Sequence, residues 1–273
     1  MNTPGNYIEV NRALWNARTK THLATPFYKM DEFLAGESSL NSIELDLLGD
    51  IKGKSILHLQ CHFGQDSLSL ARMGAVVTGV DLSDEAINTA TALNSRLGLN
   101  AEFICANIYD LPQILNRQFD IVFTSYGTIC WLPDLTPWAA IIAQYLAPGG
   151  SFIFAEFHPA LWMFDNHFKY VQYSYFNRQM IEEIESGTYA DQSADINLSS
   201  VNWNHDLGEV LQSLLKQSLS LISFEEFDYS PYPCFPETVQ PMPGKYQLPG
   251  YEDKLPMVFA LKMRKTLSGE THV

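Results

Sequence analysis

Two short segments of this chain carry residue types that could hold a nucleoside. One is Ser55-Ile56-Leu57-His58-Leu59-Gln60-Cys61-His62-Phe63-Gly64, and the other is Thr78-Gly79-Val80-Asp81-Leu82-Ser83. The first reads as a buried strand entering a tight turn, the second as a strand ending on a carboxylate. A carboxylate at such a strand end can accept both hydroxyls of a ribose, an arrangement that neutral side chains copy poorly. Asp81 follows Gly64 by 17 positions, the spacing expected of an acid behind a nucleoside-binding turn. A simpler role for Asp81 is to cap the helix that begins near Ser83. The turn itself is unusual, because Gln60 and His62 stand where glycines would allow positive φ and close backbone approach. A glycine-rich pyrophosphate cradle is therefore absent. Either side chain could instead hydrogen-bond an amino or carboxylate group of a ligand.

The elements that position these residues alternate regularly. Residues 55–59, 75–80, 101–105, 119–125 and 151–157 are rich in Val, Ile and Phe and read as strands buried on both faces. Helical patterns lie between them at 65–73, 83–97 and 134–146, with a short turn of helix near 111–115. Ser83 is a good N-cap, and Asp84 and Glu85 suit the positive end of the helix dipole. Gly98 and Pro148-Gly149-Gly150 are stop signals. This alternation predicts an α/β fold with a Rossmann-like, doubly wound, mostly parallel sheet. Residues 1–50 read as a helical N-terminal extension and 51–157 as the core. Residues 158–205 break the rhythm, are dense in aromatics and read as an antiparallel β insertion. In 206–273 we expect a helix at 206–217, a strand at 219–227, a proline-rich loop over 230–256 and a last, antiparallel strand at 257–263. No linker is long enough to divide the chain, so 1–273 is expected to form a single domain.

Composition narrows the function. Hydrophobic residues make up 46% and charged residues 18%, ordinary for a soluble globular protein. With 17 basic against 31 acidic side chains the formal net charge is -14, which disfavours nucleic acid and anionic membranes as partners. The densest basic run, Lys262-Met263-Arg264-Lys265, reads as the cap of a terminal strand. Cys61, Cys105, Cys130 and Cys234 are dispersed with no CxxC pair, which predicts reduced, mostly packed thiols, and no metal is expected. The first ten residues lack a signal pattern, and no apolar run approaches the roughly 20 residues that span a bilayer. A cytoplasmic location is expected.

Taken in order, these motifs resemble the class I S-adenosylmethionine-dependent methyltransferases. The resemblance covers residues 55–156 well and the last two strands loosely. In that family the first strand ends in an acidic residue before its glycine-rich turn; here the run is His58-Leu59-Gln60-Cys61-His62-Phe63-Gly64. The resemblance implies S-adenosyl-L-methionine as cofactor, with Gln60, Cys61, His62 and Gly64 beneath its methionine part and Asp81 and Leu82 at the ribose. It implies Asn107 at the adenine amino group, where the family has an acid, and Ile108 packed on the purine. Asn107 could equally be an ordinary turn residue. In an open sheet the ligand lies over the carboxyl ends of the strands, which brings Ser125 and Tyr126 to the cofactor and Trp131 to the acceptor.

Methyl transfer from a sulfonium is a direct displacement that needs alignment and exclusion of water, with a base only when the acceptor still carries a proton. His158, directly after the fifth strand, is the first candidate base; His22, His62 and His205 are others, and a structural role is open for each. Trp15, His22 and Tyr28 could close over the cofactor or merely pack on the sheet. The aromatic insertion reads either as a lid over an apolar or cationic small-molecule acceptor or as a ribbon packed on itself or on a second copy, a homodimer. An NAD-dependent dehydrogenase shares the sheet and the ribose acid but needs GxGxxG. A non-catalytic nucleoside-binding or scaffolding protein is the remaining alternative to a small-molecule methyltransferase.

Overall fold

A computed structural model describes residues 6–165, 167–176 and 179–266. Five strands, β1 (Ser55–Leu59), β2 (Val76–Asp81), β3 (Glu102–Cys105), β4 (Phe119–Ser125) and β5 (Leu146–Phe157), pair in parallel in the order 3-2-1-4-5. Two more strands of this sheet lie in the C-terminal part of the sequence: β8 (Leu219–Phe227) and β11 (Val258–Lys265). β11 pairs antiparallel with β5 and with β8, so the seven-stranded sheet reads β3-β2-β1-β4-β5-β11-β8. The expected antiparallel last strand is therefore internal, and β8 forms the edge.

Both faces of the sheet are covered, as the continuous apolar runs predicted. On one face Leu57, Val122, Phe152, Phe154 and Phe259 meet α6 (Leu135–Tyr145) and α7 (Leu207–Leu215). Trp138 of α6 is fully buried and stands edge-on to Phe152 and Phe154, with centroids 5.7 and 5.6 Å apart. On the other face Ile56, Val77, Ile121, Phe123 and Ile153 pack with Ile43, Leu47 and Leu48 of α3 (Ser42–Leu48). Helices α4 (Gln65–Arg72) and α5 (Asp84–Leu97) complete the βα units. Ser83 caps α5, its hydroxyl accepting from Ala86 N at 3.0 Å, and Gly98 ends it in the left-handed region. The basic run closes helices: Lys262 Nζ donates to Leu47 O, and Lys265 Nζ donates to Ala143 O and Leu146 O. Cations at helix C-termini oppose the dipole's negative end.

Four expectations shift. β5 already begins at Leu146, which pairs with Phe119, and the Pro148-Gly149-Gly150 segment lies inside it where the register shifts, with Gly149 at φ 75°. The turn of helix after β3 runs over Ile108–Gln113 as a 3-10 segment capped by Asn107, three residues earlier than its apolar spacing suggested. The last strand starts at Val258 and runs to Lys265. The proline-rich loop holds a two-stranded ribbon, β9 (Val239–Met242) with β10 (Lys245–Gln247), built around Pro243-Gly244 with Gly244 at φ 73°.

The N-terminal extension consists of α1 (Tyr7–Ala24), α2 (Met30–Ala35) and α3. The insertion supplies an antiparallel hairpin, β6 (Ile181–Ser186) with β7 (Asn197–Asn202). It packs on α1 of its own chain. Asn11 of α1 is buried and brackets Val201, its Nδ2 donating to Val201 O at 2.7 Å and its Oδ1 accepting from Val201 N at 2.9 Å. Arg18 pairs with Glu185, and Tyr28 meets Tyr189 hydroxyl to hydroxyl. Replacing Asn11 by Ala strands two buried backbone groups of β7, each costing about 1–3 kcal/mol. Asn11→Ala is therefore expected to lower unfolding free energy by about 2 kcal/mol or more in urea titration and to speed amide exchange at Val201.

Candidate functional site

The site grows from the β1–α4 turn. Gln60 (φ 55°), His62 (φ 51°) and Gly64 (φ 82°) all lie in the left-handed region. The backbone path expected of glycines is thus followed by two residues that carry side chains, at a cost of roughly 1–2 kcal/mol each. Three contacts hold it. Cys61 N donates to Val80 O at 2.9 Å, His62 N donates to Asp81 Oδ2 at 2.8 Å, and Gln60 Nε2 donates to Thr128 O at 2.8 Å. Gly64 has no alternative: a Cβ there would come within 2.8 Å of Ala90 Cβ and 2.9 Å of the Phe103 ring. His58, near the end of β1, is buried and bonded through Nδ1 to Ser67 Oγ at 2.8 Å. Burial pushes its pKa down to about 3, so it is neutral.

Asp81 ends β2 beside this turn. Its second oxygen accepts from Ser83 N at 2.8 Å. Burial raises the carboxyl to about 6 against the pull of the Ser83, His62 and Leu82 backbone groups. Asn107 Oδ1 already accepts from Tyr109 N at 3.2 Å, so an adenine amino group would have to share that oxygen. After β4, a loop is fixed by the buried Glu156 carboxylate, which accepts from Gly127 N, from Thr128 N at 2.8 Å and Thr128 Oγ1 at 3.0 Å, and from Phe157 N at 2.8 Å. Trp131 Nε1 donates to Gly127 O at 2.8 Å.

These elements floor a cavity of about 1510 Å³. Single small-molecule sites span about 300–1,000 Å³, so the space admits an adenosyl ligand and a second molecule. Gln60, Cys61, His62, Gly64, Asp81, Leu82, Asn107, Ile108, Ser125, Tyr126, Trp15, Tyr28 and Trp131 all line it. The N-terminal helices and the insertion form its roof: Trp15 stands edge-on to Trp131 at 5.4 Å and to His62 at 5.3 Å. Arg18 lies over Trp15 at 4.9 Å and reaches Trp131 and Tyr189.

Three expected residues fall elsewhere. His158 is not on the cavity. Its ring is buried, with Nδ1 accepting from Ala160 N at 3.1 Å as a helix cap and Nε2 2.8 Å from Glu226 Oε1 on β8. The strand end turns this side chain toward the sheet edge, which corrects its reading as a base at the pocket mouth. His22 is fully buried behind the wall, packed on Tyr28, Tyr189, His62 and Trp15. Neither ring nitrogen has a partner, and burial, with Arg18 adding to it, lowers its pKa to about 3. His205 is also buried, its Nε2 2.8 Å from Leu132 O.

The motifs did not single out an acidic group on the α3 side. Glu44 is fully buried; its carboxylate accepts from Asn41 N at 2.7 Å and from Tyr126 OH at 2.9 Å. Asn41 Nδ2 also donates to Tyr232 OH at 2.8 Å. Asp66 accepts from Ser39 Oγ at 2.6 Å. The Asn41-x-x-Glu44 capping box is a local signal, but the partners Tyr126 and Tyr232 are brought in only by the fold. Burial, with Asp66 adding to it, raises Glu44 to about 7.

Residues 56–150 match the family described as a methyltransferase domain. Over 105 residues the chain is 34% identical to a ubiquinone biosynthesis O-methyltransferase of Coxiella burnetii, covering 38% of this chain and 44% of that protein. It is 31% identical over 137 residues to an uncharacterized methyltransferase of Synechocystis, covering 48% and 60%. The chain thus spans less than two thirds of the length of these relatives. Among solved structures, a putative S-adenosylmethionine-dependent methyltransferase from Listeria monocytogenes aligns with TM-score 0.59 at 20% identity over 81% of this chain and 95% of that one. DhpI in complex with SAH aligns with TM-score 0.58 at 20% identity over 97% and 99%. These likenesses establish the Rossmann-like methyltransferase fold.

The raised carboxyls set a pH dependence. Glu44 binds its proton more tightly folded, at about 7, than in the unfolded chain near 4.5, so its contribution is full below that lower value and is lost as pH rises through about 7. In Glu44→Gln this loss disappears. Urea unfolding at pH 5 to 8 is expected to show the variant gaining on the wild type as pH rises, by on the order of 1 kcal/mol or more at pH 8.

Proposed function

We propose that this chain, whose residues 56–150 belong with the methyltransferase domains, transfers the methyl group of S-adenosyl-L-methionine to a small-molecule acceptor. The observation that carries this reading is the β1–α4 turn. Although Gln60 and His62 replace glycines, the backbone keeps the left-handed path beside Asp81 at the floor of a large cavity. That combination suits a ligand with a ribose diol and no phosphates. The curated relatives align over less than half of this chain, so the acceptor of a ubiquinone biosynthesis enzyme does not carry over with the match.

In this reading Asp81 accepts the ribose hydroxyls, Asn107 and Ile108 border the adenine, and Gln60, Cys61, His62, Gly64, Ser125 and Tyr126 bound the rest of the cofactor. The cofactor supplies the electrophilic methyl when bound. The protein aligns donor and acceptor and keeps water out, and the roof of Trp15, Tyr28 and Trp131 serves the second task. The net charge of -14 disfavours nucleic acid and anionic membrane surfaces as partners, and no helix among the described residues is long and apolar enough to cross a bilayer.

Calorimetric titration with S-adenosylmethionine and S-adenosylhomocysteine tests the reading, and failure of the wild type to bind either would overturn it. Asp81→Ala is expected to weaken binding at least tenfold, equivalent to about 1.4 kcal/mol. Wild-type affinity should also fall as pH drops below about 6, where the protonated acid loses acceptor capacity. Unchanged affinity in Asp81→Ala would place the ribose elsewhere.

A further inference from the structure

Three aromatic rings from distant parts of the sequence meet on the β4 side of the cavity. Phe27 comes from the 3-10 turn Pro26–Tyr28, Tyr126 follows β4, and Tyr232 lies in the proline-rich loop. All three are half-buried and line the cavity. Tyr126 stands edge-on to Tyr232, with centroids 5.2 Å apart, and Phe27 stacks on Tyr232 at 5.8 Å and 18°. Strand order separates this group from Asp81 and Asn107, which follow β2 and β3 on the far side of β1.

A buried carboxylate backs the rings. The Tyr126 hydroxyl donates to Glu44 Oε2 at 2.9 Å. Asn41 Nδ2, 3.0 Å from Glu44 Oε1, also donates to the Tyr232 hydroxyl at 2.8 Å. Glu44 is thus linked to both phenols, and a phenol that donates to a carboxylate is polarised toward a more negative ring face. Asp66 adds a second carboxyl on the cavity lining, near enough to help raise the Glu44 pKa.

The cations of the lining are engaged elsewhere or exposed. Arg18 pairs with Glu185 and lies over Trp15, Trp131 and Tyr189. Lys29 is exposed and shares the lining with the exposed acids Glu32 and Glu37. Among the described residues no cation lies over Phe27, Tyr126 or Tyr232.

Aromatic faces attract a cation held within about 6 Å of their centroids, most strongly where water is excluded. An anionic head here would meet two carboxyls, and a neutral one would gain only from burial. The walls beyond Tyr126 are apolar: Phe157 lies 5.8 Å from it, and Trp162 and Phe235 continue the surface. They suit the body of a molecule whose charged end sits among the three rings.

We propose that Phe27, Tyr126 and Tyr232 hold the ammonium head of the methyl acceptor, which is then an organic ammonium compound. The ammonium is an anchor, whichever atom receives the methyl. The inference rests on the methyltransferase reading above and names its substrate class.

Choline and 3,3-dimethyl-1-butanol test it, because they share a shape and differ by one positive charge. Both are titrated calorimetrically at pH 8, above the Glu44 value of about 7, into protein saturated with S-adenosylhomocysteine. Choline is expected to bind at least tenfold tighter than the alcohol. Tyr232→Leu removes a ring face and Glu44→Gln removes the charge while keeping an acceptor for Tyr126. Each should cut choline affinity at least fivefold while leaving S-adenosylhomocysteine binding within about twofold of wild type, and either variant suffices if the other does not fold. Equal or tighter binding of the alcohol would show a merely apolar pocket and overturn the inference. Binding of neither probe, or a choline preference that both variants retain, would overturn it as well. Failure of the wild type to bind S-adenosylhomocysteine would overturn the cofactor reading instead, and the same two probes titrated into the unloaded protein would then decide the cation site separately.

Discussion

The contact on which the site depends is the bond from His62 N–H to the Asp81 carboxylate, at 2.8 Å across the ends of β1 and β2. It fixes the middle of a turn that its own sequence resists, since two of its three left-handed residues carry side chains. The same carboxylate takes the Ser83 amide at the entrance to α5. One side chain thus sets the floor of the cavity and the start of the next helix. Local preference alone would not hold this geometry. It persists because β1 and β2 are in register from Ser55↔Val76 to Leu59↔Val80 and deliver Asp81 to the turn.

The roof follows from a different kind of constraint. α1 reaches the sheet through Asn16, whose oxygen accepts from the Ser83 hydroxyl at 2.6 Å. It reaches the insertion through Asn11 and Arg18. These contacts are polar and specific, unlike the apolar packing beneath the sheet. Polar bridges between long-range partners specify one arrangement well but add little net stability per bond, about 0.5–1.5 kcal/mol.

Much of this was legible in the sequence, because it lies in local patterns. The β1–β5 alternation, the Ser83 cap and Asp81 at a strand end each announce themselves within a few residues. Asn107, Ser125 and Tyr126 follow from where strands end. What could not be read is what topology brings together from afar. Glu44 and Tyr126 are 82 positions apart, and only the packing of α3 on the sheet, beside β5 and β11, unites them. Asp66 belongs to no motif, being an ordinary first-turn helix acid until Ser39 and Ser125 flank it. His158 failed for a related reason: it sits at the right strand end, but the neighbouring strands supply Glu226 and turn its ring away. The ribbon β9–β10 lay inside a proline-rich stretch whose composition masks short strands.

The departures from glycine at Gln60 and His62 then become a question of magnitudes. Each left-handed side-chain residue costs roughly 1–2 kcal/mol, more than the roughly 0.5–1 kcal/mol that glycine loses in backbone entropy. Gln60 recovers part of its cost through the bond to Thr128 O, a net contribution of about 1 kcal/mol. His62 recovers less, since its backbone bond to Asp81 is one a glycine would make as well and its Nε2 has no partner. Its ring packs against Phe63 within the turn and against Trp15 and Tyr28, which join the turn to the roof. The hydrogen bonds of the turn therefore do not by themselves account for both side chains. Positions where a local rule fails without full structural compensation are those where a bound molecule is expected to supply the remainder.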